Sequence, residues 1–187
     1  MPHYSGINDD GTLKKFSTPV ASFAASVAAS EGDIKALERL SDEEILGLDE
    51  HGNTPLIWAA NAGQRDALDF VLSVISKKEN TSSHLNTRGY LGNTAISRAS
   101  QGGHVDCVAA LLSQEKIDPN ICNEKMQYPL HFAAYKKHPG VVEAMLRSGK
   151  CDTLVKDRKG RTPDEDTREE GIKEMIKKYR KDNGIDQ

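Results

Sequence analysis

The chain has 187 residues, 37% of them hydrophobic and only 5% aromatic, and a formal net charge of −3 at pH 7. This length predicts a single domain, and the net acidic charge argues against a general nucleic-acid-binding protein. No apolar run approaches the roughly 18 residues of a membrane span, and residues 1–11 lack the apolar core of a signal peptide. We therefore expect a soluble intracellular protein located in the cytoplasm, with the nucleus as an alternative.

Residues 1–17 are polar and predict a flexible N-terminal arm. The following region, 18–48, contains two alanines shortly before Gly32, and the apolar pair Ala36 and Leu37 after it. A glycine between two apolar segments is typical of a tight turn between helices. In this region Phe23 stands where later segments carry threonine or tyrosine.

Four later segments can be aligned on a shared anchor residue that opens a predicted helix. The anchors, at spacings of 40, 34 and 34 residues, are Thr54, Thr94, Tyr128 and Thr162. Nine residues after each anchor we expect a sharp turn between two helices, at Gly63, Gly103, Lys137 and Gly171. Apolar pairs of a second helix follow at Ala67-Leu68, Cys107-Val108, Val141-Val142 and Met175-Ile176. A fixed period of this kind indicates a repeat architecture.

The first spacing is longer than its successors, and the extra residues fall within 76–86. We expect Val74 and Ile75 to lengthen the second helix, and the Ser, Thr and Asn residues after them to form a loop. Such an insertion marks either drift in loop length or a binding lip. The pair Tyr90 and Leu91 is more informative, because apolar residues exposed at a turn suggest a contact with another molecule.

The last segment keeps Thr162 and Pro163 but has acidic residues at 164–166, where the preceding segments are apolar. Its final helix is predicted by apolar residues on one face, at Ile172, Met175, Ile176 and Tyr179. We interpret residues 157–181 as a C-terminal cap of the repeat array, followed by a tail over 182–187.

In period, turn glycine, helix start and second-helix pattern, these segments resemble the ankyrin repeat family, whose signature includes Thr-Pro-Leu-His-x-Ala. One matching stretch is Tyr128-Pro129-Leu130-His131-Phe132-Ala133. The resemblance covers about 170 residues and implies an all-α ankyrin-repeat solenoid of five helix pairs with β-hairpin-like fingers. Its expected units are an N-terminal cap at 18–48, repeats at 49–88, 89–122 and 123–156, and a C-terminal cap at 157–181.

The resemblance also implies a protein-binding module, in which the fingers and the first helix of each pair line a concave groove. Carried over position by position, it predicts partner contacts at Glu50, His51, Asn53, Tyr90, Leu91, Lys125, Gln127, Tyr135, Lys136, Arg158, Lys159 and Arg161. The expected role is that of an adaptor, scaffold or inhibitor, and the alternative is a non-enzymatic chaperone or complex-assembly factor. We expect a monomer without cofactors that binds neither nucleic acid nor membrane.

The expected groove is uneven in charge. Between Ile121 and Arg161 there are nine Lys or Arg and four Asp or Glu, whereas the N-terminal side carries the acidic residues Asp42, Glu43, Glu44, Asp49 and Glu50. The basic end suits an acidic peptide or domain, with apolar anchors at Met126, Tyr128 and Tyr135. The alternative is that these cations are ordinary solvated side chains.

The sequence carries no signature of catalysis or metal binding. Its cysteines are Cys107, Cys122 and Cys151. Their odd number and wide spacing favour reduced thiols over a disulfide framework or a zinc site. We expect His131 to bond to neighbouring backbone, and His104 and His138 to have structural roles. Since no phosphate-binding loop, dinucleotide-binding motif or H-E-x-x-H motif occurs, we predict neither an enzyme nor a metal protein.

Overall fold

The computed structural model describes residues 21–185, with side chains from Phe23 onward, and this part of the chain contains twelve α-helices and no β-strand. In chain order the helices are α1 (Ala21–Glu31), α2 (Ile34–Leu37), α3 (Asp42–Ile45), α4 (Pro55–Ala62), α5 (Arg65–Ser76), α6 (Thr81–Leu85), α7 (Ala95–Gly102), α8 (Val105–Leu112), α9 (Pro129–Tyr135), α10 (Pro139–Arg147), α11 (Pro163–Asp166) and α12 (Glu170–Asp182). The predicted all-α class is confirmed. The predicted arm, 1–17, lies outside the described residues.

The helices stack in two layers. Helices α1, α4, α7, α9 and α11 pack side by side in an inner layer, and α2, α5, α8, α10 and α12 pack behind them in an outer layer. Each unit contacts mainly its neighbours along the stack, so stability is close to a sum of nearest-neighbour terms. Within the described part of the chain, no helix has the length and apolar composition needed to cross a bilayer.

Two of the inner helices, α4 and α7, follow threonine anchors whose hydroxyl groups satisfy amides of the first turn. The hydroxyl of Thr54 accepts a hydrogen bond from the Ile57 amide at 3.2 Å, and the hydroxyl of Thr94 accepts one from the Ser97 amide at 3.3 Å. An amide in the first turn has no partner within the helix, and a capping hydroxyl supplies it. Proline follows three of the anchors, at positions 55, 129 and 163, where it fits the first helical residue.

The turns after two inner helices require glycine for two reasons. Gly63 and Gly103 lie in the left-handed region, with φ values of 70° and 77°. The ring of His104 packs against Gly63, where an added Cβ would lie 2.4 Å from Nδ1. The ring of His138 packs against Gly103 in the same way, at 2.7 Å. A side chain at either glycine would therefore strain the backbone and displace the next repeat.

His131 bonds to backbone, as predicted, and His104 and His138 do so as well. The Nε2 atoms of His104 and His138 each lie 3.2 Å from a carbonyl oxygen of the preceding repeat, and Nε2 of His131 lies 2.9 Å from the Arg161 carbonyl oxygen. All three contacts join one repeat to its neighbour. The histidines therefore help to fix the spacing of the stack.

Small side chains let the helices approach closely. The fully buried alanines of the inner layer are Ala25, Ala29, Ala59, Ala60, Ala99, Ala133 and Ala134. Larger apolar residues from the outer helices fill the remaining space, including Leu68, Leu111, Val141, Val142 and Met145. A core of this kind needs few aromatic rings, which accounts for the low aromatic content of the chain.

Two local predictions from the sequence are wrong. Gly171 does not mark a turn, since it lies in the first turn of α12. The reason is that α11 has only four residues, and extended backbone at Thr167 carries the chain forward to α12. The residues after Ser76 do not form only a loop, since Thr81–Leu85 form α6. Leu85 is fully buried and holds this short helix against α5.

The C-terminal cap is held by a buried ion pair that the sequence pattern does not reveal. In α12, Nη2 of Arg180 donates to Oδ1 of Asp164 at 2.7 Å, and its Nε donates to the hydroxyl of Thr153 at 3.2 Å. All three side chains are buried. The acidic residue that replaces an apolar one in this segment is therefore the partner of a buried cation.

Candidate partner-binding surface

Four five-residue turns, which we call fingers, precede the inner helices α4, α7, α9 and α11. They span 49–53, 89–93, 123–127 and 157–161, and in each the first residue donates its amide to the carbonyl of the fifth, at 2.8 to 3.0 Å. They lie where the sequence predicts β-hairpin-like fingers. Their geometry is that of short closed turns, without a ladder of strands.

An Asp or Asn side chain shapes three of the fingers from within. In finger 1, Oδ1 of Asp49 accepts hydrogen bonds from the amides of His51 and Asn53, at 2.9 and 2.8 Å. Asn123 and Asp157 make the equivalent pair of bonds in fingers 3 and 4. Such a side chain mimics a backbone turn and fixes the finger. Finger 2 begins with Gly89 and has no such group.

Finger 2 is fixed from outside, by finger 1. Oδ1 of Asn53 accepts a hydrogen bond from the Tyr90 amide at 2.9 Å. This amide group occupies the space of a side chain at Gly89, where an added Cβ would lie 2.4 Å from the Asn53 oxygen. The tip then turns through left-handed residues at Leu91 and Gly92, with φ values of 57° and 74°. Fingers 1 and 2 are therefore in direct contact.

A pocket of about 390 Å³ opens where fingers 1 and 2 meet the inner helices α4 and α7. Its walls are His51, Asn53, Ile57, Trp58, Asn61, Tyr90 and Arg98. The rings of His51 and Tyr90 meet edge to face with their centroids 5.8 Å apart. On the other wall, the indole N–H of Trp58 donates to Oδ2 of Asp49 at 2.8 Å, which fixes the ring. Finger residues and inner-helix residues therefore share one concavity.

Arg98 is the charged group of this pocket. Its side chain is half-buried, and within residues 21–185 it donates no hydrogen bond and forms no ion pair. Burial lowers the pKa of the Arg98 guanidinium, and no carboxylate acts on it in the opposite direction. A guanidinium stays protonated at any physiological pH. The pocket therefore holds a partly desolvated positive charge beside aromatic rings.

The basic C-terminal end of the surface is partly neutralised by the chain itself. Arg161 forms ion pairs with Asp157 at 2.7 Å and Asp166 at 2.5 Å, so its charge is engaged internally. Arg158 is exposed and donates to the carbonyl oxygen of Glu124 at 3.1 Å. On fingers 3 and 4 and at the end of α9, the exposed cations without an ion pair to another described residue are Lys125, Lys136, Arg158 and Lys159.

The acidic N-terminal side is also mostly engaged within the chain. Asp49 is buried in finger 1, Asp42 forms an ion pair with Lys78 at 2.9 Å, and Glu44 accepts from the Ser41 amide at 2.6 Å. Glu50 is exposed beside His51. The contrast in charge expected between the two ends is therefore weaker in the folded chain than in the sequence.

The structure separates the twelve predicted contact residues into three groups. Those with exposed side chains are Glu50, His51, Tyr90, Leu91, Lys125, Tyr135, Lys136, Arg158 and Lys159. Gln127 and Arg161 are half-buried and bonded within their own fingers. Asn53 is buried, and its amide joins fingers 1 and 2, so it positions the surface. The prediction did not include Trp58 and Arg98, although both stand four residues after an anchor.

The thiols and possible metal ligands offer no further site in the described residues. No group of three or more His, Cys, Asp or Glu side chains lies close enough to hold a metal ion there. Cys107, Cys122 and Cys151 are all free thiols.

The thiols should differ in reactivity. Burial raises the pKa of Cys107 and of Cys151 to about 11, so both are protonated at pH 8, and only the thiolate is nucleophilic. We expect N-ethylmaleimide at pH 8 to modify the half-buried Cys122 first, and the other two only after unfolding in denaturant. Peptide mapping by mass spectrometry checks this, and equal rates at all three thiols in the native chain would contradict it.

Comparison with known proteins identifies the repeats. The family described as "Ankyrin repeats (3 copies)" matches residues 74–157. An ankyrin repeat, SAM and basic leucine zipper domain-containing protein of Dasypus novemcinctus is 30% identical over 125 residues, covering 65% of this chain and 25% of the relative. A putative E3 ubiquitin-protein ligase of Arabidopsis thaliana is 30% identical over 139 residues, covering 66% of this chain and 28% of the relative.

These relatives are longer proteins, and the chain spans about a quarter of the length of each. The residues that match the family, 74–157, include fingers 2 and 3 and the helix pairs α7–α8 and α9–α10. Ankyrin repeats are in general modules for protein–protein interaction, and the family is typically non-enzymatic. The family match and the stack of inner and outer helices identify residues 74–157 of the chain as ankyrin repeats.

Proposed function

We propose that the chain binds another protein through the concave surface formed by its fingers and inner helices, and that it acts as an adaptor, scaffold or inhibitor. The observation that carries this proposal is the exposure of large apolar side chains on that surface. Tyr90, Leu91, Met126 and Tyr135 are 52%, 37%, 45% and 60% exposed. Exposed apolar side chains gathered at turns are typical of interaction sites.

The positions of these side chains also support one shared surface. Tyr135 stands seven residues after its anchor at the end of α9, as Asn61 does at the end of α4. Asn61 lines the same pocket as the finger residues His51 and Tyr90. The repeat therefore directs the end of each inner helix toward the fingers. Tyrosine is favoured at protein interfaces because it combines a large apolar area with a hydroxyl group.

Charge favours an acidic segment at the C-terminal end of this surface. The cations available there are Lys125, Lys136, Arg158 and Lys159, on fingers 3 and 4 and the end of α9. An acidic N-terminal groove that matches a basic client would favour the alternative role as a chaperone or assembly factor. That role has less support in the folded chain, because Asp42 and Asp49 are bonded internally.

Charge reversal at two of these cations tests the proposal. Lys136→Glu together with Arg158→Glu should slow association with an acidic partner, and the difference from the unmodified chain should shrink as added salt shortens the Debye length below about 8 Å. The partner is first recovered from cell extract by affinity purification at low and moderate salt. Association and dissociation rates are then measured at two ionic strengths.

A matched control makes the result specific to the surface. Lys35→Glu with Lys116→Glu changes the net charge equally, but both side chains are exposed outside the fingers and inner helices. This control should bind normally, and all variants should melt at similar temperatures, because exposed charges contribute little to stability. Unchanged association of the Lys136 and Arg158 double variant would exclude the C-terminal end as the partner site.

A further inference from the structure

We propose that the pocket between fingers 1 and 2 receives an Asp or Glu side chain of the bound protein, which pairs with Arg98, while a neighbouring apolar residue packs on Trp58 and Tyr90. This inference rests on the proposed function and names the chemistry of the segment that one part of the surface selects. It adds an acidic contact in the N-terminal half to the one proposed at the C-terminal end.

Among the described residues, Arg98 lacks the polar partner that Trp58 and Asp166 have at equivalent positions. Four residues after their anchors, Trp58, Arg98, Phe132 and Asp166 hold equivalent places on the inner helices, and Phe132 is the apolar one. Trp58 donates to Asp49 at the start of finger 1. Asp166 is linked through Arg161 to Asp157 at the start of finger 4.

Finger 2, which precedes the helix of Arg98, contains no acidic residue. Finger 2 begins with Gly89, where fingers 1 and 4 begin with aspartate. A cation therefore stands on the helix and its carboxylate is missing from the finger. A carboxylate from another molecule would complete the arrangement.

An acidic side chain in place of Gly89 could not supply this carboxylate, because position 89 has no room for a side chain. The amide of Asn53 fills the space, and an added Cβ would also approach Cδ1 of Ile57 to 2.9 Å. The glycine lets finger 2 close on finger 1, and this closure brings Tyr90 to the rim of the pocket beside His51. The glycine at position 89 therefore has two effects. Finger 2 lacks the carboxylate that begins fingers 1 and 4, and Tyr90 comes to line the pocket.

The charge and the volume of the pocket both suit a single carboxylate group. The pocket contains one guanidinium, which pairs well with the single negative charge of a carboxylate through two parallel hydrogen bonds. A phosphoryl group carries nearly two charges at neutral pH and generally needs more than one cation. A volume of about 390 Å³ is enough for an acidic side chain and a neighbouring apolar one. A half-buried cation gains more from such a partner than an exposed lysine does.

Trp58 provides the readout, since it is the single tryptophan of the chain and lies in the pocket wall. The folded full chain is used to select from a displayed library of random twelve-residue peptides. We expect enriched peptides to carry Asp or Glu next to an apolar residue, and to change the fluorescence of Trp58 on binding. Replacing that acidic residue by its amide should weaken binding about tenfold to hundredfold, as for a desolvated charged hydrogen bond.

The matching change on the protein completes the test. Arg98→Gln should weaken binding of the acidic peptide by a similar factor, and it should not further weaken binding of the amide peptide. A double-mutant cycle measures this coupling between Arg98 and the acidic residue. Lys116→Gln is the control for lost charge and should bind normally. A melting temperature of Arg98→Gln near that of the unmodified chain shows that the variant is folded, and Arg98→Lys should bind with intermediate affinity because it keeps only the charge.

The failure of this inference is distinguishable from that of the proposed function. Enriched peptides without an acidic residue, or equal affinity for Arg98→Gln, would overturn the role of the pocket and leave binding by the surface intact. Peptides that bind without changing Trp58 fluorescence would do the same. If no peptide is enriched on the folded chain, both proposals fail.

Discussion

Arg180→Ala is expected to lower the free energy of unfolding by about 3 to 5 kcal/mol. The guanidinium of Arg180 bonds to Asp164 and Thr153, and all three residues are buried between α12, α11 and the preceding repeat. Removing the cation leaves the Asp164 carboxylate buried without its charge partner. A buried charge without a partner costs far more than the net contribution of the intact pair.

Urea unfolding followed by circular dichroism measures this effect. Lys181→Ala on the next position of α12 is the control, because its side chain is exposed, and it should change stability by less than about 0.5 kcal/mol. Replacing both partners, as Asp164→Leu with Arg180→Met, should recover much of the loss. If Arg180→Ala and Lys181→Ala are equally stable, the ion pair does not hold the cap.

Leu111→Ala should destabilise the chain by about 2 to 5 kcal/mol. Leu111 is fully buried in α8, and α8 packs against α5 on one side and α10 on the other. The cavity left by the leucine cannot be filled by distant repeats, since each unit contacts only its neighbours. Unfolding by urea is again the measurement.

The control for Leu111→Ala lies on the same helix. Val105 is 40% exposed at the start of α8, so Val105→Ala removes methyl groups at a site where no closed cavity forms. We expect it to cost less than about 1 kcal/mol. A denaturation midpoint of Leu111→Ala that matches the unmodified chain would show that the stack is not held together at α8.

The stack could be predicted from the sequence because its signals are local and repeated. Thr54 and Thr94 cap helices through their own hydroxyl groups, and Gly63 and Gly103 take the left-handed conformation that ends each helix. Each signal involves residues a few positions apart. Because such signals agree across several segments, the sequence alone predicts the period of the repeats.

The predictions that fail depend on contacts that a local pattern does not contain. Ser, Thr and Asn after residue 76 favour a loop, but burial of Leu85 against α5 stabilises a short helix. Gly171 has the expected spacing, but the short α11 moves the turn forward. In both cases the packing of the neighbouring helix decides the local structure.

The positions of the fingers and inner-helix ends follow from the repeat pattern, but the chemistry of the candidate site does not. A count of charges along the chain cannot show that Arg161 is paired, or that Arg98 has no ion pair among the described residues. The signal for the pocket was present as a glycine at position 89, where two other fingers have aspartate. Its meaning depends on Asn53, which reaches across from another finger.

The most direct test of binding through the concave surface is hydrogen–deuterium exchange of the full chain, with and without a saturating selected peptide or purified partner. We expect slower exchange on binding in the fingers, at 49–53, 89–93, 123–127 or 157–161, and at the adjoining ends of α4, α7 and α9. The outer helices α5, α8 and α10 should exchange as they do in the free chain. Slower exchange confined to those outer helices, with unchanged fingers, would contradict binding through this surface.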